Sequence, residues 1–298
     1  YFLYYFIFVY YFTYGFDEDS RDNQGWEVDA DILHNLKILN AKKDLNLYTD
    51  ELFNENTIHL TNGISKKYLP KGFGEHIKKS KAKWICMIER VKFNSLNYIP
   101  KTLKYKILFS PLYSHQPDYF FAIGAGTKNS LINLSIPANR ILDFTYFIKD
   151  FQVEDQQHDV YTILFIGHVS KRKNVISLLK ALEHLTDLTF ELKIYGDGPE
   201  KNNLIEFVEN SASLKSKVVF NPAVNMSNIP SILQSGDLLV LPSTHDGWGV
   251  VVTEALIAGK PVIVSDQCGS STAVKFSNVG GIYHHPSEFI DIPPGKGA

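Results

Sequence analysis

The chain has 298 residues, 44% hydrophobic and 21% charged, with 30 basic against 32 acidic residues for a formal net charge of -2. That length accommodates two domains with cores of their own, and the near-neutral balance excludes a protein that binds nucleic acid through its overall charge. Two cysteines, Cys86 and Cys268, are too few for a disulfide framework and lack metal-ligand spacing, so reduced thiols in a cytoplasmic setting are the expectation.

The chain starts at Tyr1 without a Met and ends on PPGKGA, which reads as the ends of a fragment. Residues 1–16, YFLYYFIFVYYFTYGF, are uncharged and aromatic but shorter than the ~20 apolar residues of a membrane-spanning helix. They also lack the basic flank and cleavage site of a signal peptide. A buried strand and a remnant of an anchor or leader stay open for them. The acidic run Asp17, Glu18, Asp19 and Asp22 meets no cation-ligand spacing and is expected to be a solvated loop. Val28, Ile32, Leu36 and Ile38 or Leu39 recur at helical steps, which predicts a helix over 26–40. Residues 41–80 carry no assignable pattern.

Strands are expected at 84–88, 119–123 and 141–148. Glu89 and Arg90 follow the first of these as a polar pair with two fates, facing a cleft or pairing on the surface. Gly124-Ala125-Gly126 follows the second. It lacks the third glycine and the acidic residue of a dinucleotide fingerprint, so the glycines are expected to let a loop pass close to a neighbour in a cleft. The polar stretch 149–160 has no period and divides the chain into domains 1–150 and 151–298.

Beyond it, strands and helices alternate. Strands are expected at 162–166, 190–195 and 218–220; helices are marked by Val175, Leu178, Leu179, Leu182 and Leu185, then by Leu204, Ile205, Phe207 and Val208, then by Ile229, Ile232 and Leu233. Residues 238–269 add a strand, a polar turn (Asp246, Gly247, Gly249), a helix over 250–258 bearing Glu254, a stop at Gly259 and Pro261, and another strand. The alternation predicts a parallel α/β sheet with helices on both faces, its post-strand loops sharing one edge. Gly167, Gly196, Asp246 and Ser265 thus converge on one cleft.

Four stretches carry a resemblance: FIGHVSKRKNVISLLKAL, LKIYGDGPE, GDLLVLPSTHDGWGVVVTEALIAGKPVIVSD and VGGIY. Residues 160–285 resemble the C-terminal domain of family 4 retaining glycosyltransferases, and YFFAIGAGTKNSLINLSIPANRILDFTYFI and GWEVDADIL are more loosely similar to the N-terminal domain. The resemblance implies the GT-B fold, two Rossmann-like domains with parallel sheets and a cleft between them. It also implies an incomplete N-terminal acceptor-side domain and a missing C-terminal crossing helix.

In the family two acidic residues stand with seven between them, matched here by Asp246 and Glu254. The resemblance implies that Glu254 binds the ribose hydroxyls and Asp246, where Glu is usual, contacts the transferred sugar. Lys173 matches the diphosphate-binding lysine. His168 stands where a second cation is common, leaving Arg172 to compensate or donor binding weakened. Gly167, Gly247, Trp248, Gly249 and Val250 complete the donor loops. Gly196, with Gly198, forms either the turn under the base or a purely structural one.

The implied reaction moves a sugar from a nucleoside-diphosphate sugar to a saccharide or lipid-linked acceptor, with Lys173, Asp246 and Glu254 as its principal groups and neither metal nor cofactor. By analogy it belongs to surface polysaccharide or glycolipid synthesis, in the cytoplasm or peripherally at the inner membrane face. The alternatives are a truncated homologue that binds nucleotide without turnover and a GT-B nucleotide-sugar epimerase.

Overall fold

The computed structural model describes residues 9–13, 36–40, 50, 53–64, 69, 72–90, 103, 106, 107, 116–148, 150–153, 156 and 158–284. Every pairing between its strands is parallel. β1 (Val9–Thr13) pairs with β2 (Leu36–Asn40). β3 (Ile58–Asn62), β4 (Lys83–Glu89), β5 (Tyr119–Ile123) and β6 (Ile141–Phe144) form a four-stranded sheet in that order. Helix α1 (Phe73–Ser80) connects β3 to β4, and α2 (Thr127–Asn133) connects β5 to β6.

The strands β7 (Tyr161–Ile166), β8 (Phe190–Tyr195), β9 (Val218–Asn221), β10 (Leu238–Leu241), β11 (Val262–Ser265) and β12 (Gly280–Tyr283) form a second sheet. Its order is β12-β11-β10-β7-β8-β9. Between them run α3 (Val175–Glu183), α4 (Lys201–Glu209), α5 (Ile229–Gln234), α6 (Val250–Ile257) and α7 (Ser271–Ser277). The chain winds outward from β7 through β8 and β9, then returns to lay β10 against the other side of β7. Sequence order therefore reverses between β7 and β10, and the loops that follow them meet at this switch point, the usual ligand position in an open α/β sheet.

This sheet forms where strands are apolar on both faces. Ile163, Leu164, Phe165 and Ile166 of β7 are all buried, as are Leu239, Val240 and Leu241 of β10, which suits central parallel strands covered on both sides. Leu178, Leu179 and Leu182 of α3 and Leu204 and Val208 of α4 join the same core. Asp237 ties the entry to β10 to the start of β7, its Oδ2 accepting the Thr162 amide at 2.7 Å.

The 119–123 strand falls where expected, and those expected at 84–88, 162–166, 190–195 and 218–220 lie within a residue of theirs; β12 carried no strand expectation. Two expectations require correction. Residues 36–40 are a strand, not the end of a helix. Leu36 and Ile38 fit both a helical step and a two-residue alternation, and the pairing with β1 decides for the latter; residues 26–35 lie outside the described residues. The strand expected over 141–148 ends at Phe144. In the unassigned 41–80 stretch stand β3 and α1. The helix is bounded by left-handed Gly72 and Lys81, signals that its short length obscured. Within 1–16 the described part is the strand β1, and the acidic run at 17–22 lies outside the described residues.

Leu179 is fully buried where α3 meets the sheet. Leu179→Ala is expected to lower unfolding free energy by about 2–5 kcal/mol in urea titration, and a loss below about 1 kcal/mol would mean that α3 does not pack as described.

Candidate functional site

The crevice between β7 and β10 is built by two loops that hold each other. After β7 the chain turns at Gly167 and runs to Asn174, whose left-handed backbone starts α3. After β10 it runs through Ser243 and Asp246 to Gly249. The Thr244 amide donates to the Arg172 carbonyl at 2.9 Å, and Arg172 Nη1 donates to the His245 carbonyl at 2.9 Å. Asn174 Nδ2 donates to the Pro242 carbonyl at 3.3 Å.

At the centre of this seam Lys173 Nζ lies 2.5 Å from Asp246 Oδ2, with both side chains nearly buried. Arg172 Nη1 reaches the same oxygen at 3.2 Å, and the Ser243 hydroxyl stands 3.4 Å from it. Burial alone would raise the Asp246 carboxyl; the Lys173 ammonium and then the Arg172 guanidinium overcome that and hold it below its ordinary value. Two cations thus share one carboxylate, leaving a net positive charge at the crevice.

Gly249 turns the chain into α6 with φ 87°, a left-handed backbone that an L side chain rarely adopts. A Cβ there would also come 2.7 Å from Leu241 Cδ2. No side chain caps the start of α6; the Val252 amide donates back to the Gly249 carbonyl at 3.0 Å, which leaves the amides of Val250 and Val251 for an anion or sugar oxygens. One turn along, Glu254 is 8% exposed, and its carboxyl has no hydrogen-bond or ion-pair partner among the described residues. Burial pushes its carboxyl up to about 7. Ionising a carboxyl so withdrawn from water is costly until donors reach it.

The remaining expected residues divide by what they touch. Gly196 and Gly198 are explained by chain packing: the β8 loop lies so close on the β7 loop that a Cβ at either would run into the carbonyl of Gly167 or Val169. The Val169 amide donates to Asp197 at 2.9 Å, completing that contact. His168 is exposed and unpaired among the described residues. Trp248 is 4% exposed, donates its indole N–H to Thr253 Oγ1 at 2.9 Å and meets Tyr146 edge-on, so its side chain is committed to packing. Val250 is the first residue of α6. Ser265 is buried at the end of β11 and accepts the Gln267 amide at 3.1 Å.

The four-stranded sheet contributes a wall. The Ala125 amide donates to the Gly269 carbonyl at 2.9 Å, and a Cβ on Gly124 would stand 2.6 Å from Gly269 Cα. The glycines after β5 therefore let that loop meet another loop, in keeping with the close approach expected of them. Glu89 and Arg90 do not pair with each other on the surface. Glu89 accepts the Tyr146 hydroxyl at 2.8 Å, and its carboxylate fills the space where Gly247 would carry a side chain. Arg90 lies instead over Gly126, its guanidinium 3.4 Å from the Cβ position. Burial, then Glu89, raises the Tyr146 phenol above its ordinary range. Sequence reasoning missed Tyr146 and Ser243, since neither lies in a periodic or glycine-marked position.

Residues 147–288 match the family model described as "Glycosyl transferases group 1". The D-inositol 3-phosphate glycosyltransferase of Paenarthrobacter aurescens is 32% identical over 141 residues, 45% of this chain and 34% of that protein. The chain spans about a third of the length of the curated relatives it matches. Among solved structures, the lipopolysaccharide outer core galactosyltransferase WaaB superposes with TM-score 0.64 at 18% identity, over 89% of this chain and 76% of that one. HepE of Anabaena, solved in complex with UDP-glucose, superposes with TM-score 0.57 at 15% identity, over 73% of this chain and 63% of that one. The fold is α/β with parallel sheets, the GT-B arrangement of these glycosyltransferases.

The raised Glu254 carboxyl sets a pH dependence. The unfolded chain ionises this group near 4.5 and the folded one near 7, so its contribution to stability is full below about pH 4.5 and is lost as pH rises to about 7. The change amounts to at most about 3 kcal/mol. Glu254→Gln is expected to flatten that decline and raise Tm at pH 8, read by thermal melts from pH 4 to 8; parallel wild-type and variant profiles would refute the buried, partnerless carboxyl.

Proposed function

We propose that this chain is a retaining, family 4 glycosyltransferase that transfers a sugar from a nucleoside-diphosphate sugar to a saccharide or lipid-linked acceptor. In this reading residues 151–298 hold the donor and residues 1–150 face the acceptor. The observation that carries it is the occurrence, in one β10 to α6 unit and the loop it holds, of a cation cluster (Lys173 and Arg172) and a buried carboxyl with no donor among the described residues (Glu254) one turn into α6. A nucleoside diphosphate has what each lacks: phosphate oxygens for the cations, and two vicinal ribose hydroxyls that donate to one carboxylate. The family match over residues 147–288 and the UDP-glucose complex of HepE favour the same ligand class.

The chemistry follows from charge. As the bond from sugar to diphosphate lengthens, negative charge builds on the leaving phosphate and positive charge on the sugar ring. Lys173, Arg172 and the uncapped amides of α6 stabilise the former. In this reading Asp246, directly before Gly247, meets the sugar. The acceptor attacks from the face the diphosphate leaves, and a phosphate oxygen takes its proton, so no protein base is required. We assign the activity to surface polysaccharide or glycolipid synthesis in the cytoplasm, with peripheral contact at the inner membrane face. No helix among the described residues is long and apolar enough to cross a membrane.

UDP or GDP is expected to raise the thermal unfolding midpoint of the full chain, and Glu254→Ala is expected to abolish that protection. If no nucleoside diphosphate shifts the wild-type midpoint, the donor-site reading fails.

A further inference from the structure

In the donor-site reading Lys173 and Arg172 receive phosphate oxygens, yet both already hold a carboxylate. Asp246 Oδ2 is 2.5 Å from Lys173 Nζ and 3.2 Å from Arg172 Nη1. No other acidic side chain reaches either cation among the described residues. We propose that Asp246 is a built-in competitor for the diphosphate: nucleotide binds by exchanging its phosphate oxygens for the Asp246 carboxylate at Lys173 and Arg172. The inference rests on the donor-site reading and adds a second role to a residue that reading places beside the sugar.

Three features make exchange workable. The cluster carries two positive charges against one negative, so an approaching anion is still attracted while Asp246 is bound. A diphosphate offers several oxygens and more than one negative charge, so it can span both cations, whereas the single oxygen of Asp246 serves both at unequal distances. The Ser243 hydroxyl, 3.4 Å from the same oxygen, belongs to the loop that carries Asp246 and stays beside the carboxylate once the cations let go. Released, Asp246 sits next to Gly247 with its charge free for a sugar hydroxyl. The exchange thus couples diphosphate capture to readiness of the sugar contact, and discriminates against ligands with a single weakly charged phosphate.

The test is isothermal titration of the full chain with UDP and, independently of the base, with inorganic pyrophosphate. Asp246→Asn removes the competitor's charge at nearly constant shape and is expected to tighten both ligands on the order of tenfold, with a steeper loss of affinity as salt rises. Asp246→Glu keeps the charge and is expected to bind as weakly as wild type. Circular dichroism and Tm verify folding, and Asp246→Ser takes the place of the Asn variant should that one fail to fold. Unchanged or weaker binding by the neutral variant, while Lys173→Ala still weakens wild type, overturns the competitor role and leaves the donor site standing. If Lys173→Ala leaves UDP and pyrophosphate binding unaltered, the donor-site reading falls and the competitor role with it.

Discussion

The ion pair between Lys173 and Asp246 is the joint on which the rest of the crevice depends. It can form only because β7 and β10, 75 residues apart at their closing positions Ile166 and Leu241, lie side by side at the point where strand order reverses. Taking two charges out of water costs several kcal/mol each, so a buried pair persists where further partners satisfy it. Here Arg172 and Ser243 complete the set, while backbone bonds from Thr244 to Arg172 hold the two loops in register. The same loop then passes through Gly247 to Gly249, so the position of Asp246 also settles where α6 begins and which way its free amides point.

Backbone proximity is the second constraint. Glycines that look alike in the sequence perform different tasks. Gly249 supplies a left-handed turn, whereas Gly196 and Gly198 are small because another stretch of chain lies against them. Gly124, Gly247 and Gly269 are small where the two sheets meet, with Glu89 and the Gly269 backbone filling the space that side chains would take. A motif of glycines after a strand signals close approach. It does not by itself say whether the neighbour is ligand or protein, and here the neighbour of Gly196 and Gly198 is protein.

Legibility in the sequence followed the physics of burial. The second sheet was readable because its central strands are short, mainly apolar runs such as 162–166, followed by glycine and alternating with helices whose leucines recur at helical spacing. Asp246, Lys173 and Glu254 were singled out by the family resemblance, and the fold brings Asp246 and Lys173 together after two of these strands. The four-stranded sheet was less so: β3 exposes Ile58 and Leu60 and buries His59, an inverted alternation that conceals a strand from polarity alone. Residues 36–40 satisfied helix and strand spacing at once, and only a pairing partner distant in sequence decides between them. Tyr146 could not have been found at all, since its role is set by Glu89, 57 residues away.

The two carboxylates of the β10 to α6 unit show how one short segment creates two opposite sites. Both are withdrawn from water, which by itself disfavours ionisation. Asp246 meets two cations and is driven down; Glu254, on an apolar helix with no donor to its carboxyl among the described residues, is driven by burial up to about 7. Such divergence between neighbouring titratable groups marks functional sites more often than structural ones. It also orders what a ligand has to do. At Glu254 it needs only to supply donors to a group that lacks them, and the gain is the relief of an uncompensated burial. At Lys173 and Arg172 it has to displace a carboxylate already in place, so net affinity there is a difference between two strong interactions. In the proposed donor-site reading, a nucleoside anchored at the first at little cost brings its phosphates within reach of the second, and the ribose contact is the foothold from which the proposed diphosphate exchange becomes favourable.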